Sequence, residues 1–223
     1  MSTIWSLAER LGFLPQDELL VKQALTHSSY TNDHPGSSDN ERLEFLGDAV
    51  LSLLCSFHLY SKFPSLTEGQ LSRLRASLVC EPPLAAIALT QELPSSILLG
   101  RSAAGSGGIA RPRILAGCVE ALLGAAFLAG GLARAEALFT LFYADLLAQT
   151  TDAAAHPDAK SALQELAPEA VSYTLLSHCG PDHDRTYRVE VVVRGRRMGI
   201  GKGRSKKQAE QAAAEEALRN LRV

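Results

Sequence analysis

The spacing of apolar residues changes once along this 223-residue chain, and that change divides it into two predicted domains. Up to residue 149, apolar residues recur at intervals of three and four, which predicts amphipathic helices separated by proline and glycine breaks. The predicted helices are Leu19 to Leu25, Leu43 to Leu59, Leu71 to Val79, Leu84 to Leu89, Ile114 to Leu128 and Ala133 to Leu147. Runs of alternating β-branched residues are absent there, so we expect an all-α domain over residues 1–149.

The rest of the chain combines a short linker with the only strand-like pattern in the sequence. Residues 150–157 are small and polar without periodicity, which predicts a linker. Residues 158–223 then predict a helix, three strands at Tyr173 to Ser177, Arg185 to Val193 and Arg196 to Ile200, and a closing alanine-rich helix. The predicted fold is therefore multidomain, with an all-α domain followed by a small α+β domain of order α-β-β-β-α.

Charge is divided unevenly between the two parts. The formal net charge of −2 comes from 22 Lys and Arg against 24 Asp and Glu. Residues 1–156 carry 10 basic and 15 acidic residues, and residues 157–223 carry 12 and 9, which gives −5 and +3. Nine basic residues fall between Arg185 and Lys207, where Glu190 is the only acid. This basic stripe is typical of a phosphate-binding surface, although the whole chain is close to neutral.

The cysteines and the N-terminus indicate a reducing compartment. The four cysteines are Cys55, Cys80, Cys118 and Cys179. They are far apart and form no C-x-x-C pair, so we expect neither a zinc site nor a redox motif. Isolated thiols and the lack of an export signal at the N-terminus predict a cytoplasmic protein. The low-charge stretch from Ile114 to Ala133 favours a buried helix over a membrane span, and no membrane partner is expected.

Acidic residues are grouped at two places in the first domain. At about 100° per residue, Glu41, Glu44 and Asp48 share an arc of roughly 60° on one helix. The apolar positions Leu43, Leu46, Ala49, Val50 and Leu53 take another arc that can face the core. Glu120 is the only charged residue between Ile114 and Ala133, and a buried carboxylate must be paired, protonated or bound to metal.

Two interpretations of these acids follow from the residues alone. In the first, they form a solvated helix face with Asn40 as the N-cap. In the second, carboxylates from two helices bind Mg²⁺, or alternatively Mn²⁺, because these ions prefer oxygen ligands. Such an ion can activate water for attack on a phosphodiester.

The segments around the acids resemble the ribonuclease III family, whose members cut double-stranded RNA. Asn40 to Leu51 is similar to the family signature, and Ala24 to Tyr30, Glu68 to Ala76 and Val119 to Ala125 match in the same order. The resemblance covers nearly the whole chain. It implies an endoribonuclease that leaves 5′-phosphates, 3′-hydroxyls and short 3′ overhangs, and that acts in rRNA and mRNA processing and decay.

The resemblance also implies roles for the acids and shows two departures. Glu44, Asp48 and Glu120 would bind the divalent metal, with Asp48 and Glu120 as catalytic residues. Where the family usually has an acid three residues before Glu120, this chain has Gly117. A loop that usually carries Gly-Glu instead has Ser102 and Ala103. We therefore expect weaker metal binding, which Gly117→Asp should strengthen.

Three further residues of the first domain take their roles from the same resemblance. Glu41 and Glu68 would lie in the cleft and position the RNA or its attacking water. Phe45 would plug a pocket on a second copy, because the family works as a homodimer with two cutting centres.

The second domain resembles the double-stranded RNA-binding domain. Its substrate-binding residues would be Gln164, Glu165, His183, Ser205, Lys206 and Lys207. The lysines begin the last helix, where free N–H groups and the helix dipole favour phosphate. By the resemblance they would bridge phosphates across the major groove, while the first helix and His183 would contact two minor grooves.

Two other patterns have simpler interpretations, and two functions remain open. Gly199-x-Gly201-x-Gly203 lacks the context of a dinucleotide-binding loop and is interpreted as the turn before the last helix. His27 and Ser28 lack a third partner for nucleophilic catalysis. The chain is either a metal-dependent double-strand endoribonuclease or a catalytically weakened or inactive dimeric RNA-binding protein. The retained acids favour the enzyme, since a pure binder has no use for clustered like charges.

Overall fold

The computed structural model describes residues 3–105, 111–150, 159–168, 170–179 and 185–221. Together they belong to two compact units, Met1–Thr151 and Asp152–Val223. Most of the predicted linker, residues 151–157, lies outside the described residues, whereas Thr150 is buried in the first unit. The domain boundaries at 149 and 158 stay predictions.

The first unit is helical, as the apolar spacing predicts. Its helices are α1 (Thr3–Arg10), α2 (Glu18–Ala24), α3 (Ser28–Asp33), α4 (Glu41–Lys62), α5 (Glu68–Leu78), α6 (Glu81–Thr90), α7 (Arg101–Ala104) and α8 (Pro112–Gln149), with 3-10 turns at Pro15–Asp17 and Leu93–Ser96. The only β-pairing among the described residues of this unit is an isolated parallel bridge between Thr26 and Leu98. The predicted all-α fold is therefore confirmed.

Helix α8 contains both helices predicted between residues 114 and 147. Its dihedral angles leave the helical region at Gly130 and Gly131. Gly131 has φ of 69°, a left-handed conformation that glycine adopts without steric cost. The two predicted helices are therefore consecutive segments that meet at this glycine pair.

Helices α4 and α8 are both long and apolar enough to cross a membrane, judged by length and composition alone. In α8, 67% of the most apolar window is buried within the protein, and in α4 the corresponding share is 39%. The mostly buried window of α8 is what the core helix of a folded domain shows. The absence of a membrane partner stays a prediction.

The second unit has the predicted α-β-β-β-α order. Its elements are α9 (Ala159–Leu166), β1 (Val171–Cys179), β2 (Thr186–Val193), β3 (Arg196–Gly203) and α10 (Lys206–Leu221). The strands form an antiparallel sheet in the order β1-β2-β3. Arg194 and Gly195 close the β2–β3 hairpin with φ of 50° and 73°, as two-residue hairpin turns require.

The glycines of β3 have a packing role, which corrects their interpretation as a turn. An added Cβ on Gly201 would collide with the backbone of Ala209 and Ala213, and one on Gly199 would collide with the backbone of α10 as well. The glycines therefore let α10 approach the sheet closely, with the buried alanines Ala209, Ala213 and Ala217 along the contact. The alternation of glycine with longer residues reflects the two faces of a strand.

Candidate active site

The acids of α4 and α8 meet because two glycines let these helices touch. A Cβ on Gly47 would overlap the carbonyl group of Glu120, and a Cβ on Gly124 would overlap the carbonyl oxygen of Leu43. Backbone contact on this scale is possible only where the residue that faces the other helix is a glycine. It places the acidic face of α4 beside the turn of α8 that carries Glu120.

These helices and α3 enclose an open cleft of about 540 Å³. It is lined by His27, Ser28, Asn40, Glu41, Glu44, Phe45, Asp48, Arg113, Ile114, Gly117 and Glu120. Four of the five predicted acids therefore share one cleft, with Glu41 and Asp48 exposed and Glu44 and Glu120 half-buried. The pattern of Glu41, Glu44 and Asp48 on one arc agrees with the helical spacing.

The predicted apolar arc of α4 is only partly correct. Leu43 and Val50 are buried, but Ala49 and Leu53 are exposed. The buried face is rotated toward Gly47, because the close crossing with α8 sets the orientation of the helix. Ala49 and Leu53 instead join Phe45, which is 82% exposed, on an apolar stripe facing away from the core.

Burial and mutual repulsion make the two half-buried acids hard to ionise. Burial is the largest cause that raises the pKa of Glu120 to about 7, and the charges of Glu44 and Asp48 raise it further. Burial also raises the pKa of Glu44, while Arg113 lowers it. Their ionised forms therefore lack enough positive charge nearby, and a divalent cation in the cleft would supply it.

Two further residues at this cleft were missed by the sequence analysis. Arg113 precedes Gly117 by four residues and Glu120 by seven, a spacing that places all three on one face of α8. His27 lies before α3, and its Nδ1 accepts a hydrogen bond from the Ser29 backbone N–H at 3.1 Å. The i, i+4, i+7 spacing could have identified Arg113, whereas only the tertiary fold brings His27 to the cleft.

Asn40 has a different role from the N-cap considered in the sequence analysis. It stands at the N-cap position of α4, but its side chain makes no capping hydrogen bond. Its Nδ2 instead donates to the carbonyl oxygen of Ala24 at 3.2 Å, and the Glu41 N–H donates to Oδ1 of Asp39. Asn40 is 3% exposed and ties α4 to α2, so it does not act as the side-chain cap of a solvated helix end.

Glu68 does not line the cleft in the single chain. It lies in the first turn of α5, where its Oε1 accepts a hydrogen bond from the Ser72 hydroxyl at 2.8 Å. It borders a separate depression of about 640 Å³ together with Leu53, Phe57 and Tyr60. The predicted grouping of Glu68 with the other acids is therefore not formed within one copy.

The cleft offers the oxygen donors that a hard divalent cation prefers, although these side chains are not yet arranged around one point. Glu44, Asp48 and Glu120 offer only carboxylate oxygens, which suit Mg²⁺ or Mn²⁺. Within the described parts of the chain, no three Asp, Glu, His or Cys side chains stand ready to hold an ion. Binding would therefore draw the flexible ends of these side chains together, and the raised pKa values of Glu44 and Glu120 show the repulsion that a cation would relieve.

The second unit presents its predicted basic surface at the start of α10. Lys206 and Lys207 are exposed and form no ion pair with a described residue, and Ser205 Oγ accepts a hydrogen bond from the Gln208 N–H at 3.2 Å. Gln164 is exposed on α9, where Nε2 donates to the Pro168 carbonyl oxygen. Glu165 also belongs to α9, whereas His183 lies outside the described residues.

The first domain has an acidic cleft between two crossed helices, and the second is a sheet domain with a basic helix end. Together these features are typical of a two-domain nuclease. Residues 17–146 match the family model described as Ribonuclease-III-like, and residues 159–221 match the double-stranded RNA binding motif. The chain belongs to the ribonuclease III family.

Similar proteins cover nearly all of the chain. The Ribonuclease 3 of Pelotomaculum thermopropionicum is 46% identical over 95% of this chain and 90% of that protein. The Ribonuclease 3 of Enterococcus faecalis is 44% identical over 96% of both chains. The solved nuclease domain of ribonuclease III from Campylobacter jejuni is 38% identical, with a TM-score of 0.61 over 68% of this chain and all of that one. A second solved structure of that domain shows structural flexibility in a region involved in dimer formation, and its TM-score is 0.60 over 64% of this chain and 97% of that one.

Proposed function

We propose that this chain is a divalent-metal-dependent endoribonuclease that hydrolyses phosphodiester bonds in double-stranded RNA. The observation that carries the proposal is the cleft in which Glu44, Asp48 and Glu120 converge without enough positive charge to balance them. The family membership and the basic end of α10 support the same activity.

Each group in the cleft has a separate task in this proposal. Glu44, Asp48 and Glu120 would hold Mg²⁺, with Mn²⁺ as an alternative, and Asp48 and Glu120 would act nearest the reaction. When bound, the ion supplies a Lewis acid that activates water and stabilises the departing oxygen. Glu41, exposed at the cleft, would orient the RNA or its water.

The second unit would supply most of the grip on RNA. Lys206 and Lys207 are exposed and can contact phosphates, and the N–H groups of the first turn of α10 add to this charge. Gln164, Glu165 and His183 would contact the minor grooves, while Ser205 completes the helix end. Such a domain recognises the shape of the duplex rather than its sequence.

We also propose that the active form is a homodimer. Phe45, Ala49, Leu53, Phe57 and Tyr60 form an exposed apolar stripe along α4. Apolar surface of this extent favours association, and a helix face presented twice is suited to a symmetric contact. Pairing through Phe45 would cover the stripe, and the depression beside Glu68 continues from it.

The family resemblance also implies the chemistry of the products and the kind of substrate, and the four free thiols indicate the compartment. The products would carry 5′-phosphates, 3′-hydroxyls and short 3′ overhangs. The substrates would include precursors of rRNA and mRNA, and the protein would act in the cytoplasm, where its cysteines stay reduced.

The second candidate is a dimeric RNA-binding protein with little or no cutting activity. Gly117 favours it, because a carboxylate usual at this position is missing. Incubation of the full chain with a long RNA duplex at increasing Mg²⁺ or Mn²⁺ separates the two. Cleavage that is lost in Glu120→Gln, with duplex binding retained, supports the enzyme. An intact duplex at high metal, together with a clear mobility shift, refutes it.

A further inference from the structure

Among the described glycines of the α4–α8 contact, Gly117 is the one whose missing side chain is not explained by a neighbouring backbone. A Cβ at Gly117 would lie 2.6 Å from Oε2 of Glu44, 3.0 Å from its Cδ and 3.5 Å from Oε1. These are its three nearest atoms apart from the neighbouring backbone of α8 itself, and all belong to one carboxyl group. By contrast, Gly47 and Gly124 face main-chain atoms.

The position of the Glu44 carboxyl group therefore depends on the bare backbone of α8. Glu44 reaches across from α4 and lies on Gly117, one helical turn before Glu120. Residues three apart on a helix are neighbours on its surface, so this seat holds the Glu44 carboxyl group beside that of Glu120. Glycine disfavours a helix relative to alanine, so a glycine at this position is consistent with a role in making this contact.

We propose that Gly117 is a positioning residue, which seats the carboxyl group of Glu44 on α8 so that it takes the place of the acid missing at position 117. The proposal rests on the metal site proposed above. Any side chain at position 117 would push the Glu44 carboxyl group away. Gly117→Asp would then add one carboxyl group but displace that of Glu44. The strengthening of metal binding expected from the sequence would therefore be offset.

The test measures metal binding by the full chain without RNA. Mn²⁺ is titrated into each protein and the free ion is followed by electron paramagnetic resonance. Gly117→Ala should raise the dissociation constant about tenfold, the scale typical of losing support for a metal ligand. Glu44→Gln should also weaken binding, and adding Gly117→Ala to it should change the constant less than about twofold, because residues acting through one another are not additive.

Two controls separate this role from simple damage to the fold. Thermal unfolding of Gly117→Ala should be no earlier than that of the native chain, since alanine favours the helix. Glu44→Asp adds no atom to α8 and keeps the charge, but it withdraws the carboxyl group from Gly117. It should therefore weaken Mn²⁺ binding about as much as Gly117→Ala does.

The outcomes distinguish this inference from the proposed function. Native-like Mn²⁺ binding in Gly117→Ala or in Glu44→Asp overturns the positioning role, as do additive effects in the double variant. If Asp48→Asn abolishes binding in those same measurements, the metal site itself stands and only the inference fails. A native chain that takes up no Mn²⁺ overturns the proposed metal site and the inference together.

Discussion

Replacing Glu120 by glutamine should stabilise the metal-free protein at alkaline pH. The pKa of Glu120 is raised from 4.5 to about 7, first by burial and then by the charges of Glu44 and Asp48. Between these two pKa values, the folded protein keeps a proton that the unfolded chain has released. Raising the pH through this range therefore removes stability, and the full cost is present above about pH 7.

The size of the effect follows from the shift. At 1.36 kcal/mol per unit, the shift sets an upper limit of roughly 3 kcal/mol. Glu120 is half-buried, so solvent screening reduces this to about 1–2 kcal/mol. For a unit of this size, that corresponds to a rise in the unfolding midpoint of about 2–8 °C at pH 8.5. At pH 5 the native side chain is mostly protonated, and the two proteins should unfold at similar temperatures.

Differential scanning calorimetry in the presence of a chelator measures the difference directly. The native chain and Glu120→Gln are compared at pH 5 and pH 8.5, with Glu136→Gln on an exposed position of α8 as the control. The control should show no pH-dependent gain. A Glu120→Gln protein that is no more stable than the native chain at pH 8.5 would refute the argument from burial and repulsion.

Three further changes test other parts of the molecule. Phe45→Ala should shift the protein from dimer to monomer in sedimentation experiments at micromolar concentration, and the monomer should stay folded because the Phe45 side chain is largely exposed in one copy; a persistent dimer would contradict this. Changing Lys206 and Lys207 to glutamine should weaken duplex binding and reduce the salt slope of log K by about 2, with an unchanged melting temperature; an unchanged slope would show that they do not contact phosphates. Lys62→Met should lower the unfolding midpoint by about 2–6 °C, because the Lys62 ammonium donates to carbonyl groups at the end of α8; an equal midpoint would mean that this cap adds nothing.

Long periodic helices and the order of the second domain were predictable from the sequence, and the shortest elements were not. The predicted helix around Leu43 to Leu59 corresponds to α4, and the break at Gly130 and Gly131 lies between two predicted helices. Helices α3 and α7 have six and four residues, which is too short for a period to be visible, and α1 was also missed. Their helical state is set by contacts with distant segments.

The members of the candidate site were largely predictable, but their arrangement was not. Helical spacing places Glu41, Glu44 and Asp48 on one face whatever the rest of the chain does. That Glu120 joins them depends on the crossing at Gly47, which brings together residues more than seventy positions apart. Sequence spacing carries no information on such a contact, and for the same reason Glu68 could not be placed relative to the cleft.

The clustered acids link the stability of the first domain to its proposed activity, although the net charge of the whole chain is close to zero. The acids contribute to a net charge of −5 over residues 1–156, and they meet in a cleft where ionisation is costly. A bound cation reverses this: at a hundred times its dissociation constant it stabilises the folded state by about 2.7 kcal/mol. That gain exceeds the cost of about 1–2 kcal/mol inferred for ionised Glu120. The carboxylates would therefore be retained because the metal, and not a neighbouring arginine or lysine, is their principal counter-charge.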